Sequence, residues 1–251
     1  MDPIERARRD VVIANRILAQ QCVLDAYGHV SIRHPLDANK YLLARSCSPG
    51  IVGIEDIVEF HLDGTPTHPE KRPLYLERFI HGAVYERRAD VKAVLHSHAD
   101  DLLPFSISKT TRLRPVIHAC GDMGQNIPVW DIANKFGDAT SLLVLNMEHG
   151  RDLAEALGGD RIALMAAHGF VSTGRSIYDL VRLAVYIPRN ARVQLQAMQM
   201  GEYRVISPGE TQARIGLDPD SPALMRGWEF WAREAGCDAL LEDANGQQRP
   251  V

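Results

Sequence analysis

The run Ile162-Ala163-Leu164-Met165-Ala166-Ala167 is unbroken in its apolarity and is followed at once by His168-Gly169-Phe170. A strand with one wet face alternates polar and apolar residues; a continuous run is the pattern of a strand buried on both faces. Such a strand must be covered by helices on both sides, which predicts an α/β layered fold around a central sheet. A second run, Val91-Lys92-Ala93-Val94-Leu95, ends in His96-Ser97-His98. Residues i and i+2 of a strand point to the same face, so His96 and His98 can offer two imidazoles to one ion.

A chain with ten histidines in 251 residues contains about 0.4 His-x-His pairs by chance, so the pair carries weight only with its context. That context is Glu77, 19 residues before His96, and His168, 70 residues after His98. A third imidazole from a distant strand leaves a coordination position open for substrate. This is the pattern of catalytic zinc, and manganese, iron or cobalt suits the same donors. One divalent ion per subunit is therefore expected, with zinc first.

The 251 residues fit one domain, 1–251, and a hydrophobic content of 45% is ample for its core. With a net charge of -4 and interspersed signs there is no basic stripe, so a small molecule is expected as partner and nucleic acid is not. The N-terminus Met1-Asp-Pro-Ile-Glu-Arg-Ala-Arg-Arg-Asp10 is charged and lacks a signal-peptide core, and no apolar run approaches a membrane span. A cytoplasmic protein is expected. Cys22, Cys47, Cys120 and Cys237 show no CxxC spacing and read as inert thiols.

Along the chain, apolar periodicity predicts helices over 4–25, 74–87, 152–157, 177–200 and 223–235, with Pro188 as a place for a kink. Strands are predicted at Val30–Arg33, Tyr41–Ala44 and Ile57–Leu62, the last entering a hairpin at Asp63-Gly64. The first half is thus mostly antiparallel. Ser141–Leu145 reads equally as a strand or a helix start. Residues 201–251 form a Pro- and Gly-punctuated extension with a final helix bearing Trp228 and Trp231.

Four segments in order, Gly28-His29-Val30-Ser31-Ile32-Arg33, the helix with Glu77 and His81, Val94-Leu95-His96-Ser97-His98, and Ala167-His168-Gly169-Phe170, together resemble the class II aldolase/adducin family over roughly residues 5–200. The resemblance implies a three-layer α/β/α domain with a central mostly antiparallel sheet, usually assembled as a homotetramer with sites between subunits. It implies His96, His98 and His168 as metal ligands and Glu77 as acid/base. The sugar-phosphate aldolases of the family carry Gly-Asn where this chain has Gly28-His29, and a Ser-Ser pair where it has Tyr75-Leu76. Bulky side chains there fill a phosphate pocket. The aldolases' tyrosine donor from a neighbouring subunit falls in a segment reading Pro115-Val116-Ile117-His118-Ala119, where His118 is the residue able to take a related role.

Within the family the Tyr75–Gly82 run and the Gly-His-Val-Ser element look most like decarboxylases of hydroxylated aromatic or pyridine dicarboxylates, such as the one acting on 3-hydroxy-2-methylpyridine-4,5-dicarboxylate. The resemblance thus implies a metal-dependent carbon-carbon lyase with Glu77 and His118 as catalytic groups. His29, Arg33, Arg45 and Tyr75 are the candidates for holding an aromatic carboxylate substrate. An aldolase for a non-phosphorylated hydroxy-keto acid would use the same ligands and is the alternative. A non-catalytic adducin-like interaction module is the second alternative. His81 reads as a neighbour orienting Glu77, while His34, His61, His68 and His149 read as solvated and Asp122 and Gln125 read equally as residues behind the site or as ordinary turn residues.

Overall fold

The computed structural model describes residues 2–215, 218–219 and 221–241; residues 242–251 of the C-terminal extension lie outside them. In chain order the helices are α1 (Pro3–Gln20), α2 (Arg78–Arg87), α3 (Leu103–Ile107), α4 (Ala133–Phe136), α5 (Met147–Leu157), α6 (Ile177–Met200), α7 (Pro208–Ile215) and α8 (Pro222–Glu234). The strands are β1 (His29–Arg33), β2 (Lys40–Ala44), β3 (Ile57–His61), β4 (Ala93–Ser97), β5 (Val129–Trp130), β6 (Ile162–Met165) and β7 (Gly169–Gly174). They form one sheet in the order β3-β2-β1-β4-β7-β6-β5. Every pairing is antiparallel except β5 with β6.

Strand alternation divides the interior into two cores. Leu42 and Ala44, Ala93 and Leu95, Ile162 and Leu164, and Phe170 face α1, α6 and α8. Tyr41 and Leu43, Val94, Ala163 and Met165, and Val171 face the opposite way, against α2 and α5. The result is the expected three-layer α/β/α arrangement, and the run Ile162–Met165 is buried along its whole length as its composition requires. Trp228 and Trp231 of α8 pack into the α1/α6 core. No helix among the described residues is long and apolar enough to cross a membrane.

Two element boundaries differ from expectation in ways that shape the site. Helix α1 stops at Gln20 rather than near 25, because Cys22 takes φ 56° and the N–H groups of Val23 and Leu24 both return to the Leu18 carbonyl, at 2.9 and 3.0 Å. This is a helix-reversing cap. Helix α2 starts at Arg78 rather than Leu74, with Glu77 as its N-cap at φ -92° and ψ 18°. Glu77 and His81 therefore do not share a helical face. The strand β7 was not anticipated: its Gly169-Phe170-Val171-Ser172-Thr173-Gly174 sequence carries too few apolar residues to read as a buried strand, yet it pairs with both β4 and β6.

Close approach of α2 to the β3 hairpin depends on Gly82. A Cβ there would lie 2.0 Å from the Leu62 carbonyl oxygen, a contact that backbone movement alone can relieve. Gly82→Ala would gain about 1 kcal/mol in helix propensity and lose about 3 kcal/mol to overpacking. The expected net effect is a loss of about 2 kcal/mol and a Tm lower by roughly 4–8 °C. A thermal melt in which Gly82→Ala matched or exceeded the parent would refute this packing.

Candidate metal centre

Strand β4 delivers His96 on the face toward α2, and His98 follows two residues later on the same side. His168 sits in the tight turn between β6 and β7, where Ala167 takes φ 55° and the His168 N–H closes on the Met165 carbonyl at 3.1 Å. Gly169 lets this turn press onto the end of β4, since a Cβ there would meet the Ser97 carbonyl oxygen at 2.2 Å. The four side chains converge: His96 Nε2 is 2.9 Å from His98 Nε2, and His98 Nε2 is 3.1 Å from His168 Nε2. Glu77 Oε2 lies 3.2 Å from His96 Nε2 and 3.5 Å from His168 Nε2. All four candidate ligand atoms fall within 4.8 Å of one another.

The backs of the rings explain why they point inward. His96 Nδ1 is 3.2 Å from the Phe170 carbonyl and His168 Nδ1 is 2.9 Å from the Leu142 carbonyl. A carbonyl only accepts, so both Nδ1 atoms carry the proton of the neutral ring and both Nε2 lone pairs face the centre. Glu77 Oε1 accepts from the Val144 N–H at 3.0 Å, which aims Oε2 at the imidazoles. Burial, then His96 and His168, push His98 down to about 4. Burial alone would raise the Glu77 carboxyl, but the His96 and His168 imidazoles facing it bring it well below the usual carboxylate range. His168 is raised against burial by Glu77, so a proton and a cation compete for the gap between them. Converging nitrogen lone pairs beside one carboxylate are a donor set that fits a divalent ion.

A cleft of about 400 Å³ adjoins this cluster, bounded by Glu77 and His98 on one side and by His29, Tyr75, Ser46 and Ser48 elsewhere. Tyr75 donates its hydroxyl to the Cys47 carbonyl, and its ring lies 4.5 Å from that of His29. The wall is therefore aromatic with its phenol already engaged.

Residues 9–195 match the class II aldolase and adducin N-terminal domain. The chain belongs to that family. Among class II aldolase relatives it is 32% identical to the decarboxylase tropJ of Talaromyces stipitatus over 253 residues, covering 92% of this chain and 95% of that protein. It is 26% identical to a 3,4-dihydroxyphthalate decarboxylase of Arthrobacter keyseri, with 91% and 92% covered. The crystal structure of an aldolase II superfamily protein from Pseudomonas syringae superposes with a TM-score of 0.77 at 19% identity, covering 96% of each chain.

Other residues singled out in the sequence stand elsewhere in this class II aldolase fold. Arg33 is buried, and its donors go to the carbonyls of Val91 (2.9 Å), Ala38 (2.6 Å), Tyr85 (2.8 Å) and Arg88 (2.7 Å). It ties β1 to the end of α2 and is withdrawn as a substrate contact. Arg45 turns to Asp56, with Nε 2.7 Å from Oδ1, and donates to the Ser46 carbonyl; it does not line the cleft. His118 is on the surface, its Nε2 accepting from Arg214 at 3.0 Å, and it does not line this cleft either. His81 orients His29 rather than Glu77. His34 is buried against Glu59 at 3.3 Å, not solvated. Asp122 is gripped by Arg161 and Arg182.

Sequence reasoning missed the segment Leu142–Val144, which is neither strand nor helix. It holds His168 by one carbonyl and Glu77 by one N–H. Its apolar composition resembles a strand, and nothing in it signals the φ of 63° at Leu142. Ser46 and Ser48 were also missed, being ordinary turn residues by sequence.

His98→Ala removes one of three converging nitrogens. Bound divalent metal, counted by elemental analysis after dialysis, is expected to fall by at least ~10-fold with the circular dichroism spectrum unchanged. Full metal occupancy in that variant would break the assignment.

Proposed function

We propose that this chain is a metal-dependent decarboxylase of a hydroxylated aromatic or heteroaromatic dicarboxylate, a carbon-carbon lyase whose ion is held by His96, His98 and His168 with Glu77 in reach. The observation that carries the reading is the aromatic-walled cleft beside the imidazole cluster, in which Tyr75 and Leu76 replace small hydroxyls and the Tyr75 phenol is committed to a backbone carbonyl. The two decarboxylase relatives support it. A divalent ion in the cluster would supply positive charge to stabilise the electron pair left when carbon dioxide departs.

The chain's own residues handle position and protons. Tyr75 and His29, their rings tilted by 42°, form an aromatic wall for a ring, and the Ser46 and Ser48 residues of the cleft lining, with His29, meet the carboxylate that is retained in this reading. Glu77, ionised by its surroundings, accepts the proton of the ring hydroxyl beside the departing carboxylate. The carbon-carbon bond then breaks, its electron pair stays on the ring, and carbon dioxide leaves. Glu77 returns the same proton to that ring carbon, so atoms and charge balance. His118, on the surface of its own subunit, serves a neighbour's cleft in the homotetramer proposed here. Tyr27 and Leu76, 70% and 60% exposed beside the cleft, offer that neighbour an apolar surface.

Glu77→Gln keeps the size and removes the proton carrier, and turnover is expected to fall by at least ~100-fold while phthalate-type ligands still bind. Assays for carbon dioxide and for aldehyde on the same preparation test the reaction itself. Carbon dioxide from an ortho-hydroxylated aromatic dicarboxylate is the expected product. Aldehyde from a sugar phosphate at about 1 per second or more would instead make aldol cleavage the native reaction.

A further inference from the structure

The face of β1 beneath α2 carries His29, Ser31 and Arg33, all buried, where a core strand would place apolar side chains. Arg33 is committed to backbone carbonyls. The other two join His81 and Tyr85 of α2 in one unbranched hydrogen-bonded chain. Tyr85 Oη is 2.8 Å from Ser31 Oγ, Ser31 Oγ is 2.7 Å from His81 Nδ1, and His81 Nε2 is 2.7 Å from His29 Nδ1. His81 and Tyr85 are one helical turn apart, so both reach the same strand face.

The chain has a direction. Among the described residues the buried Tyr85 phenol has one acceptor for its proton, Ser31 Oγ; the nearby Val94 backbone acts on it as a donor. Run the other way, the chain would leave that buried O–H unpaired, which is the costlier arrangement. Tyr85 thus donates to Ser31, and Ser31 has only His81 Nδ1 left to donate to. His81 must carry its proton on Nε2 and donate it to His29 Nδ1. The proton of His29 then sits on Nε2, by assignment from the network. That atom has no partner among the described residues, and the ring lines the cleft.

We propose that Tyr85, Ser31 and His81 fix His29 as an Nε2–H donor into the cleft, making it the residue that selects an oxygen anion on the bound molecule. Tyr85, Ser31 and His81 are positioning residues that act through His29. Identifying that anion as a ring carboxylate rests on the decarboxylase reading; the direction of the chain does not.

The test uses the full zinc-loaded chain labelled with an NMR-active isotope at the histidine nitrogens. Long-range proton–nitrogen spectra, assigned with His29→Gln and His81→Gln, should show both rings protonated at Nε2 and bare at Nδ1. A proton on Nδ1 of His29 would overturn the proposal. His81→Phe keeps a ring in place and removes the N–H that His29 Nδ1 accepts, so the His29 signals should move toward a mixture of tautomers. Phthalate affinity, measured by calorimetry, should weaken by about 10-fold in step, the scale of one charge-assisted hydrogen bond. His81→Leu provides a second break if His81→Phe fails to fold. Unchanged His29 signals and unchanged phthalate binding in a folded variant would overturn the positioning role. An Nε2 proton on His29 without phthalate binding to the parent would uphold the donor and count instead against an aromatic dicarboxylate as substrate.

Discussion

Two backbone carbonyls, those of Phe170 and Leu142, take the Nδ1 protons of His96 and His168 and so turn two nitrogen lone pairs toward a common point beside His98 and Glu77. Much of the fold reads as a means of holding this arrangement. The β4–β7 pairing sets Phe170 behind His96, and the β6–β7 turn presents His168 with its backbone strained at Ala167. The irregular crossing at Leu142–Val144 supplies both the second carbonyl and the N–H that fixes Glu77. Converging lone pairs next to a carboxylate repel one another unless positive charge lies between them, which is why the cluster suits a cation.

The same side of the sheet carries a second polar system within an otherwise apolar layer. His29, Ser31 and Arg33 lie under α2, paired with His81, Tyr85 and carbonyls at the helix end. Among the described residues these contacts pair the polar groups of the stripe, as burial demands, up to the His29 Nε2 at the cleft. One end of this stripe is structural, closed by Arg33, and the other opens on the cleft at His29. Register makes the connection, because His29 pairs directly with His96 across the β1–β4 ladder. A slip of one residue would send His29 and Ser31 to the α1 side of the sheet.

The layered architecture was legible because continuous and alternating apolar runs carry distinct burial demands, and both core faces of β2, β4 and β6 follow them. That His96 and His98 share a face was legible from period-two spacing, and the bulk of Tyr75 at the cleft from the resemblance, where it stands in place of a serine. Arg33 and Arg45 were misread because a guanidinium suits a carboxylate and a cluster of carbonyls equally well, and the partner carbonyls of Arg33 come from residues up to 58 positions away. The Leu142–Val144 crossing was invisible for a related reason: its task is done by backbone groups, which sequence does not distinguish. The hydrogen-bonded chain behind His29 also needed the fold, since its members alternate between β1 and α2.

The central claim is that His96, His98 and His168 share one divalent ion next to the cleft. Anomalous diffraction from crystals of the protein as purified, recorded on both sides of the absorption edges of zinc, manganese, iron and cobalt, tests it most directly. The account predicts one strong peak per chain within bonding distance of all three Nε2 atoms, at roughly 2.0–2.2 Å. Fully active crystals with no anomalous peak among these imidazoles would contradict it.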